Sequence, residues 1–324
     1  MFLIHNSAQQ APILAGAIVG ACRLSSGWFS DAQPRVLEAL FEHLLGFRAD
    51  FNALPAINPA DVKEILLSSS QRRELIELMV TMEMMCRPIP QALQDSVDYW
   101  AKELEVDDSA LVLVRELSRN AHIQATTDFY RLSWIGEGDA QDDPIFQRLL
   151  NDYGASVYAL TVEPDPRETA RWQVLKDCPT GSLGYELWLF YQKRGFKLPG
   201  VVGGANSALA HHDWVHVIAG YDTTAIGELE VTAFMASASR SPGSMLGFIG
   251  AVSIYETGLL QSLVTHSYSK TLSAPGGAER VVMAINAGKN CRFDPLIGVD
   301  YFSIADRSLE KIREEWGLSV KTRV

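Results

Sequence analysis

Apolar side chains recur at helical spacing along most of this 324-residue chain. In its first third they fall three and four positions apart, which places them on one face of a helix. Pro88 and Pro90 separate two of these segments, because proline does not continue a helix. A small helical bundle is therefore predicted, with helices within residues 34–47, 69–85, 91–104 and 109–118.

The same periodicity continues through the second part of the chain. The segments that show it are residues 145–158, 182–191, 205–218, 224–238 and 308–316. Runs of alternating Val, Ile and Thr are scarce, so we predict an all-α multi-helix bundle. An acidic, turn-rich stretch at residues 136–144 predicts the boundary between an N-terminal helical domain, 1–140, and a C-terminal one, 141–324.

Residues 244–264 form the most apolar segment, with Glu256 as the only charged side chain. Its length approaches that of a membrane-spanning helix. The glutamate and the glycines Gly247, Gly250 and Gly258 favour instead a helix that is buried on all sides within a folded body. We expect the buried helix, with a lipid-facing role as the alternative.

Composition narrows the classes of function. With 28 Lys and Arg against 39 Asp and Glu, the formal net charge of -11 disfavours nucleic acid as a partner. The four cysteines are far apart, which is typical of reduced thiols in a cytoplasmic protein. No Lys or Arg precedes the apolar residues 11–22, so we expect a helix there and no secretory signal.

Three of the seven histidines fall within six residues, at His211, His212 and His216. On a helix His212 and His216 lie on one face, and Asp213 lies at its edge. Glu228 is sixteen positions after His212, so on one straight helix it would point roughly 160° away. The chain must therefore turn between them if Glu228 is to share the site.

The residues between His216 and Glu228 predict such a turn. Gly220 is a suitable helix end, and Asp222, Thr223 and Thr224 are suitable N-caps of a second helix. Two antiparallel helices joined here would bring Glu228 against the two histidines.

Two imidazoles and two carboxylates suit a divalent metal, with Zn²⁺ preferred and Fe²⁺ or Mn²⁺ as alternatives. A metal-free polar core also fits the spacing. The metallopeptidase pattern H-E-x-x-H fits less well, because Asp213 is one methylene shorter than its glutamate. HD phosphohydrolases also contain a His-Asp pair, but they draw their further ligands from distant helices, so this pattern fits less well too. His211 points about 100° away from His212, so we place it outside the ligand set.

The pattern His212-Asp213-x-x-His216-x11-Glu228 resembles the signature of the coenzyme Q biosynthesis protein 4 family. The sequence PTGSLG at residues 179–184 resembles that family's P-x-G-[ST]-L-G segment, and residues 300–318 resemble its ending. The resemblance covers about residues 145–324. Residues 71–117 resemble TerB-like helical domains weakly, and without the metal-associated residues of that family.

The family resemblance implies an all-helical fold with His212, Asp213, His216 and Glu228 as ligands of a metal, usually zinc. It also implies a polyprenylated quinone precursor as ligand, contact with other quinone-biosynthesis proteins and peripheral membrane association. A homodimer is a further expectation. The side chains expected to line the lipid pocket are Trp188, Tyr191, Trp214, Met245 and Phe248.

Three functions remain open from the sequence. The first is a metal-dependent lyase that removes the C1 carboxylate of a polyprenylated hydroxybenzoate, with hydroxylation at that carbon. The second is a non-catalytic scaffold that binds a prenyl lipid. The third is a metal-dependent hydrolase. All three place the protein in the cytoplasm, with the first two also compatible with a membrane surface.

Overall fold

The computed structural model describes residues 7–23, 27–66, 68–136, 143–241 and 243–318. The regular elements in these ranges are helices, and no strand occurs among them. Isolated antiparallel bridges join Leu160 with Ala205 and Ser182 with Ser308. The predicted all-α fold is confirmed.

Seven α-helices precede residue 136 in the part of the chain that the structure describes. They are α1 (Ala11–Cys22), α2 (Ala32–Leu45), α3 (Pro59–Lys63), α4 (Ser69–Met84), α5 (Gln91–Glu103), α6 (Ser109–Ser118) and α7 (His122–Leu132). α1 is apolar around most of its circumference and packs on α4 and α5. α6 packs on α4 and α7.

Eight α-helices follow residue 142 in the described residues. They are α8 (Pro144–Tyr153), α9 (Pro166–Gln173), α10 (Leu183–Arg194), α11 (Ser207–Ala219), α12 (Ala225–Ala238), α13 (Gly243–Val252), α14 (Gly277–Lys289) and α15 (Leu309–Trp316). α12 packs on both α13 and α14, so this trio forms the centre of the second part.

The two parts of the chain share one hydrophobic core. α2 packs on α14, while α4 and α7 pack on α13. Cys22 and Cys86 are buried in this core, Cys178 and Cys291 are half-buried, and all four are free thiols. The predicted division at 136–144 stays a prediction, because residues 137–142 lie outside the described residues.

The most apolar segment is shorter as a helix than its sequence predicted. α13 continues into a π-helical turn, Ser253–Thr257, and ends at Gly258, whose φ is 64°. The buried Glu256 accepts hydrogen bonds from Leu272 N and Ser273 Oγ, both at 2.6 Å, which satisfies its carboxylate. Among the described helices, none has both the length and the apolar character that a membrane crossing needs.

Four helices of the described residues were not predicted from the sequence, namely the short α3 and α9 and the longer α7 and α14. α7 contains the β-branched Ile123, Thr126 and Thr127, which lower helix propensity. α14 follows Gly276, has no side-chain cap at its start, and is held by packing on α2 and α12. In both cases tertiary contacts outweigh weak local preferences.

Candidate metal centre

The centre of the candidate site is the pair α11 and α12 with the turn between them. Asn206 caps α11, because its Oδ1 accepts a hydrogen bond from Leu209 N at 2.8 Å. Gly220 ends that helix with a φ of 76°, a conformation that suits glycine. Thr224 caps α12 through Gly227 N at 3.3 Å. Gly220 and Thr224 are among the turn residues expected from the sequence.

This turn brings Glu228 against both histidines. Glu228 Oε2 lies 3.6 Å from His212 Nε2, and Glu228 Oε1 lies 3.4 Å from His216 Nε2. Each residue offers one ligand atom, and the three atoms lie within 4.8 Å of one another. A single ion can therefore contact two imidazoles and one carboxylate, which is a common set of protein ligands for zinc.

Backbone carbonyl groups hold the other nitrogen of each imidazole. His212 Nδ1 lies 2.5 Å from Leu209 O, and His216 Nδ1 lies 3.2 Å from Tyr221 O. When Nδ1 carries the proton, it donates to the carbonyl and leaves the Nε2 lone pair free for an ion. Metal-ligating histidines usually have this arrangement.

The Nε2 atom of His216 is a buried nitrogen without a hydrogen-bond partner among the described residues. Its contact with Glu228 Oε1 at 3.4 Å is within ion-pair distance but lacks the geometry of a hydrogen bond. A buried polar atom without a partner costs free energy unless an ion or water satisfies it. The donor set therefore fits a divalent ion.

Asp213 lies at the edge of this group. Its Oδ1 is 3.6 Å from His212 Nε2, and its Oδ2 accepts a hydrogen bond from the Tyr191 hydroxyl at 2.6 Å. Burial, followed by the nearby charge of Asp213, raises the pKa of Tyr191 well above its usual value, so the hydroxyl remains a donor. Asp213 is outside the group of three, and its role as a fourth ligand stays a prediction.

The carboxylates shift the charge balance of the site. Burial alone would lower the pKa of His212, but the negative charges of Asp213 and Glu228 outweigh it and raise that pKa to about 9. Burial would raise the pKa of Glu228, yet His216 and His212 hold it well below its usual value. The two carboxylates therefore favour positive charge at this position.

His211 lies outside this cluster, as its position in the sequence indicates. Its Nε2 is 3.1 Å from Pro295 O, and its ring packs edge-on against Tyr301 with a centroid distance of 4.9 Å. Burial lowers its pKa. These contacts give His211 a structural role next to the site.

A cavity of about 490 Å³ adjoins the cluster. His212, Asp213 and Glu228 form part of its wall, whereas His216 is fully buried and reaches the site only through Nε2. Most of the remaining wall is apolar. Its apolar side chains include Ile135, Leu160, Leu209, Ala251, Ile254 and Leu263.

Tyr191 lines the cavity, and the other four expected pocket residues are not among its lining side chains. Trp214 stacks on Tyr301, with ring centroids 5.4 Å apart. Trp188 is half-buried on α10. Met245 and Phe248 are buried on α13, but the cavity meets Gly247, Ala251 and Ile254, which recur at the spacing of a different face of that helical segment.

Several lining residues were not identified from the sequence. Phe129, Tyr130 and Trp134 come from α7 and the residues after it, and residues 262–265 come from a loop. Their contribution depends on contacts between segments that are distant in the chain. The glycines of α13 are the one local signal, because they permit a close approach by large rings.

Comparisons with known proteins add little to this geometry. No family model matches the chain. No curated protein matches it either. One solved structure that it resembles is a protein of Nostoc punctiforme PCC 73102, provisionally named a ubiquinone biosynthesis protein. Identity is 17%, the TM-score is 0.34, and the match covers 75% of this chain and 97% of that one. At this TM-score the likeness supports no conclusion about function.

Proposed function

We propose that this protein binds a divalent metal, with Zn²⁺ as the preferred ion, at His212, His216 and Glu228, with Asp213 as the fourth ligand. The observation that carries the proposal is the convergence of the three candidate ligand atoms within 4.8 Å. The unpartnered Nε2 of His216 supports it. So do the two backbone carbonyls that fix the imidazole tautomers.

We further propose that the adjoining cavity binds a prenylated ring compound of the kind used in quinone biosynthesis. A largely apolar cavity with a few convergent polar groups is typical of a small-molecule site. Each methylene group that leaves water for this wall contributes about 0.8 kcal/mol. The resemblance of the ligand spacing to the coenzyme Q biosynthesis protein 4 signature supports the same ligand class.

The candidate metal ligands beside an apolar cavity are suited to a substrate that carries a carboxylate or phenolate next to its isoprenoid tail. A bound divalent ion supplies Lewis acidity, which stabilises negative charge on such an oxygen. The side chains that line the cavity would hold the ring of the substrate next to the candidate metal ligands. Thr223 lines the same cavity, and its hydroxyl group accepts a hydrogen bond from Arg194 Nε at 2.9 Å. This favours loss of the ring carboxylate as CO₂, with a proton taking its place on the ring carbon, as the reaction to test.

Elemental analysis of the purified full-length protein tests the metal site. We expect about one divalent ion per chain, since three or four ligands converge on one point. His216→Ala and Glu228→Gln should lose it. His211→Ala is the matched control, because this neighbouring histidine contacts Pro295 and Tyr301 and should leave the metal content unchanged.

The same purified wild-type and variant proteins test whether a prenylated ring compound is bound and converted. Mass spectrometry of a mixture with a polyprenylated hydroxybenzoate should show loss of the carboxylate with the wild type but not with Glu228→Gln. Binding of the precursor without turnover would leave the non-catalytic scaffold as the function. A wild-type protein without metal after preparation in zinc-supplemented medium would contradict the proposal.

A further inference from the structure

One wall of the cavity comes from a part of the chain outside the family resemblance. Phe129, Tyr130, Trp134 and Ile135 all line it. They belong to α7 and the four residues after it, whereas the resemblance covers about residues 145–324. The N-terminal part therefore supplies side chains to the candidate site itself.

Glycines of α13 determine where two of these rings lie. A Cβ atom at Gly250 would be 1.9 Å from Phe129 Cε2, and one at Gly247 would be 3.1 Å from Trp134 Cδ1. The first distance is too short for any real Cβ and the second is tight, so both rings lie directly against the α13 backbone. This close packing holds the indole of Trp134 in the cavity wall.

Trp134 stands beside the metal centre. Its ring centroid is 6.2 Å from that of His212 and 6.1 Å from that of His211. The side chain is half-buried and lines the cavity, so part of it is open to a ligand. Aromatic rings with centroids about 4.5–7 Å apart attract one another, and this attraction adds to the hydrophobic effect of burying their surface.

From these contacts we propose that Trp134 is a specificity-determining residue, which favours ligands with a flat ring at the metal end of the cavity. This inference rests on the proposed function. It adds that the site distinguishes prenylated compounds with a ring from isoprenoids without one. A prenylated quinone presents a ring to the indole, whereas an isoprenoid alcohol of the same tail length does not. Trp134 thus favours the ring-bearing compound over the bare isoprenoid.

The test uses the zinc-loaded full-length protein and isothermal titration calorimetry with two probes. One is a benzoquinone with a two-isoprene tail, and the other is geraniol, which has the same tail and no ring. In Trp134→Ala we expect quinone affinity to fall about tenfold, or ~1.4 kcal/mol, and geraniol affinity to change less than about twofold. Trp188→Ala, a half-buried tryptophan outside the cavity wall, is the matched control.

Two further variants separate ring contact from packing. Trp134→Phe retains an aromatic face and should keep most of the quinone affinity. Trp134→Leu retains apolar bulk without that face, and should show the same selective loss as alanine even where the alanine variant folds poorly.

Equal losses for quinone and geraniol, or no loss for either, would overturn the role of Trp134 while the wild type still binds metal and quinone. A wild type that binds neither overturns the proposed function, and this inference with it.

Discussion

Replacing Tyr191 with phenylalanine removes one oxygen atom from the candidate metal centre and leaves the ring in place. The side chain is 1% exposed, and its hydroxyl donates to Asp213 Oδ2 at 2.6 Å. The ring packs against Trp172 and Phe196, with centroid distances of 5.4 and 5.8 Å. Those contacts persist in Tyr191→Phe, so the variant isolates the hydrogen bond.

The loss of stability in Tyr191→Phe should be moderate. A hydrogen bond to a charged group contributes about 1.5–3 kcal/mol. Both Tyr191 and Asp213 line the cavity, so water can reach the carboxylate and replace part of the lost bond. We therefore expect the free energy of unfolding of the metal-free protein to fall by about 1.5–2 kcal/mol. Zinc affinity should fall about 10–100-fold if Asp213 is a ligand that Tyr191 orients.

Urea denaturation of the metal-free protein measures the first quantity, and competition with a zinc chelator measures the second. Tyr185→Phe is the control, because Tyr185 is a half-buried tyrosine on the same helix, α10. A loss below about 0.5 kcal/mol would refute a stabilising hydrogen bond from Tyr191 to Asp213. Unchanged zinc affinity would refute Asp213 as a ligand oriented by Tyr191.

Two further predictions concern the core. Burial and the nearby charge of Asp108 raise the pKa of Glu77 to about 7, above its usual value. The folded protein then retains a proton that the unfolded chain releases, so Glu77 lowers stability by up to about 3 kcal/mol as the pH rises from 4.5 to 7. Glu77→Gln should reduce the pH slope in denaturation curves by this amount. A slope from Glu83, whose pKa burial also raises to about 7, should remain. Gly250→Ala should lower the free energy of unfolding by about 1–3 kcal/mol, because its Cβ would overlap Phe129. An unchanged melting temperature would show that the ring can move aside.

The hairpin of the site could be predicted from sequence because its determinants are local. Gly220 ends α11 and Thr224 begins α12, and both residue types have strong positional preferences. Once the chain turns there, the spacing brings Glu228 against His212 and His216 without help from the rest of the fold. The distances from Glu228 to both histidines agree with that prediction.

The cavity could not be predicted in the same way. Phe129 and Trp134 reach it because α7 packs on α13, and nothing near them in the sequence indicates this contact. Tyr191 was expected as an apolar pocket residue, but its bond to Asp213 depends on where α10 meets α11. The spacing of apolar residues along the sequence indicates which side chains are buried. Tertiary packing decides which cavity each of them faces.

The walls of the cavity come from both parts of the chain, and this has a thermodynamic consequence. A ligand that binds only when α7 and α13 are packed together stabilises that packing by RT ln(1 + [L]/Kd), about 2.7 kcal/mol at a hundredfold excess over Kd. Binding at the proposed site would thereby be linked to the packing of the two parts of the chain. Hydrogen exchange of the amide protons of α7, which is far from the candidate metal ligands in sequence, would then report whether the proposed site is filled.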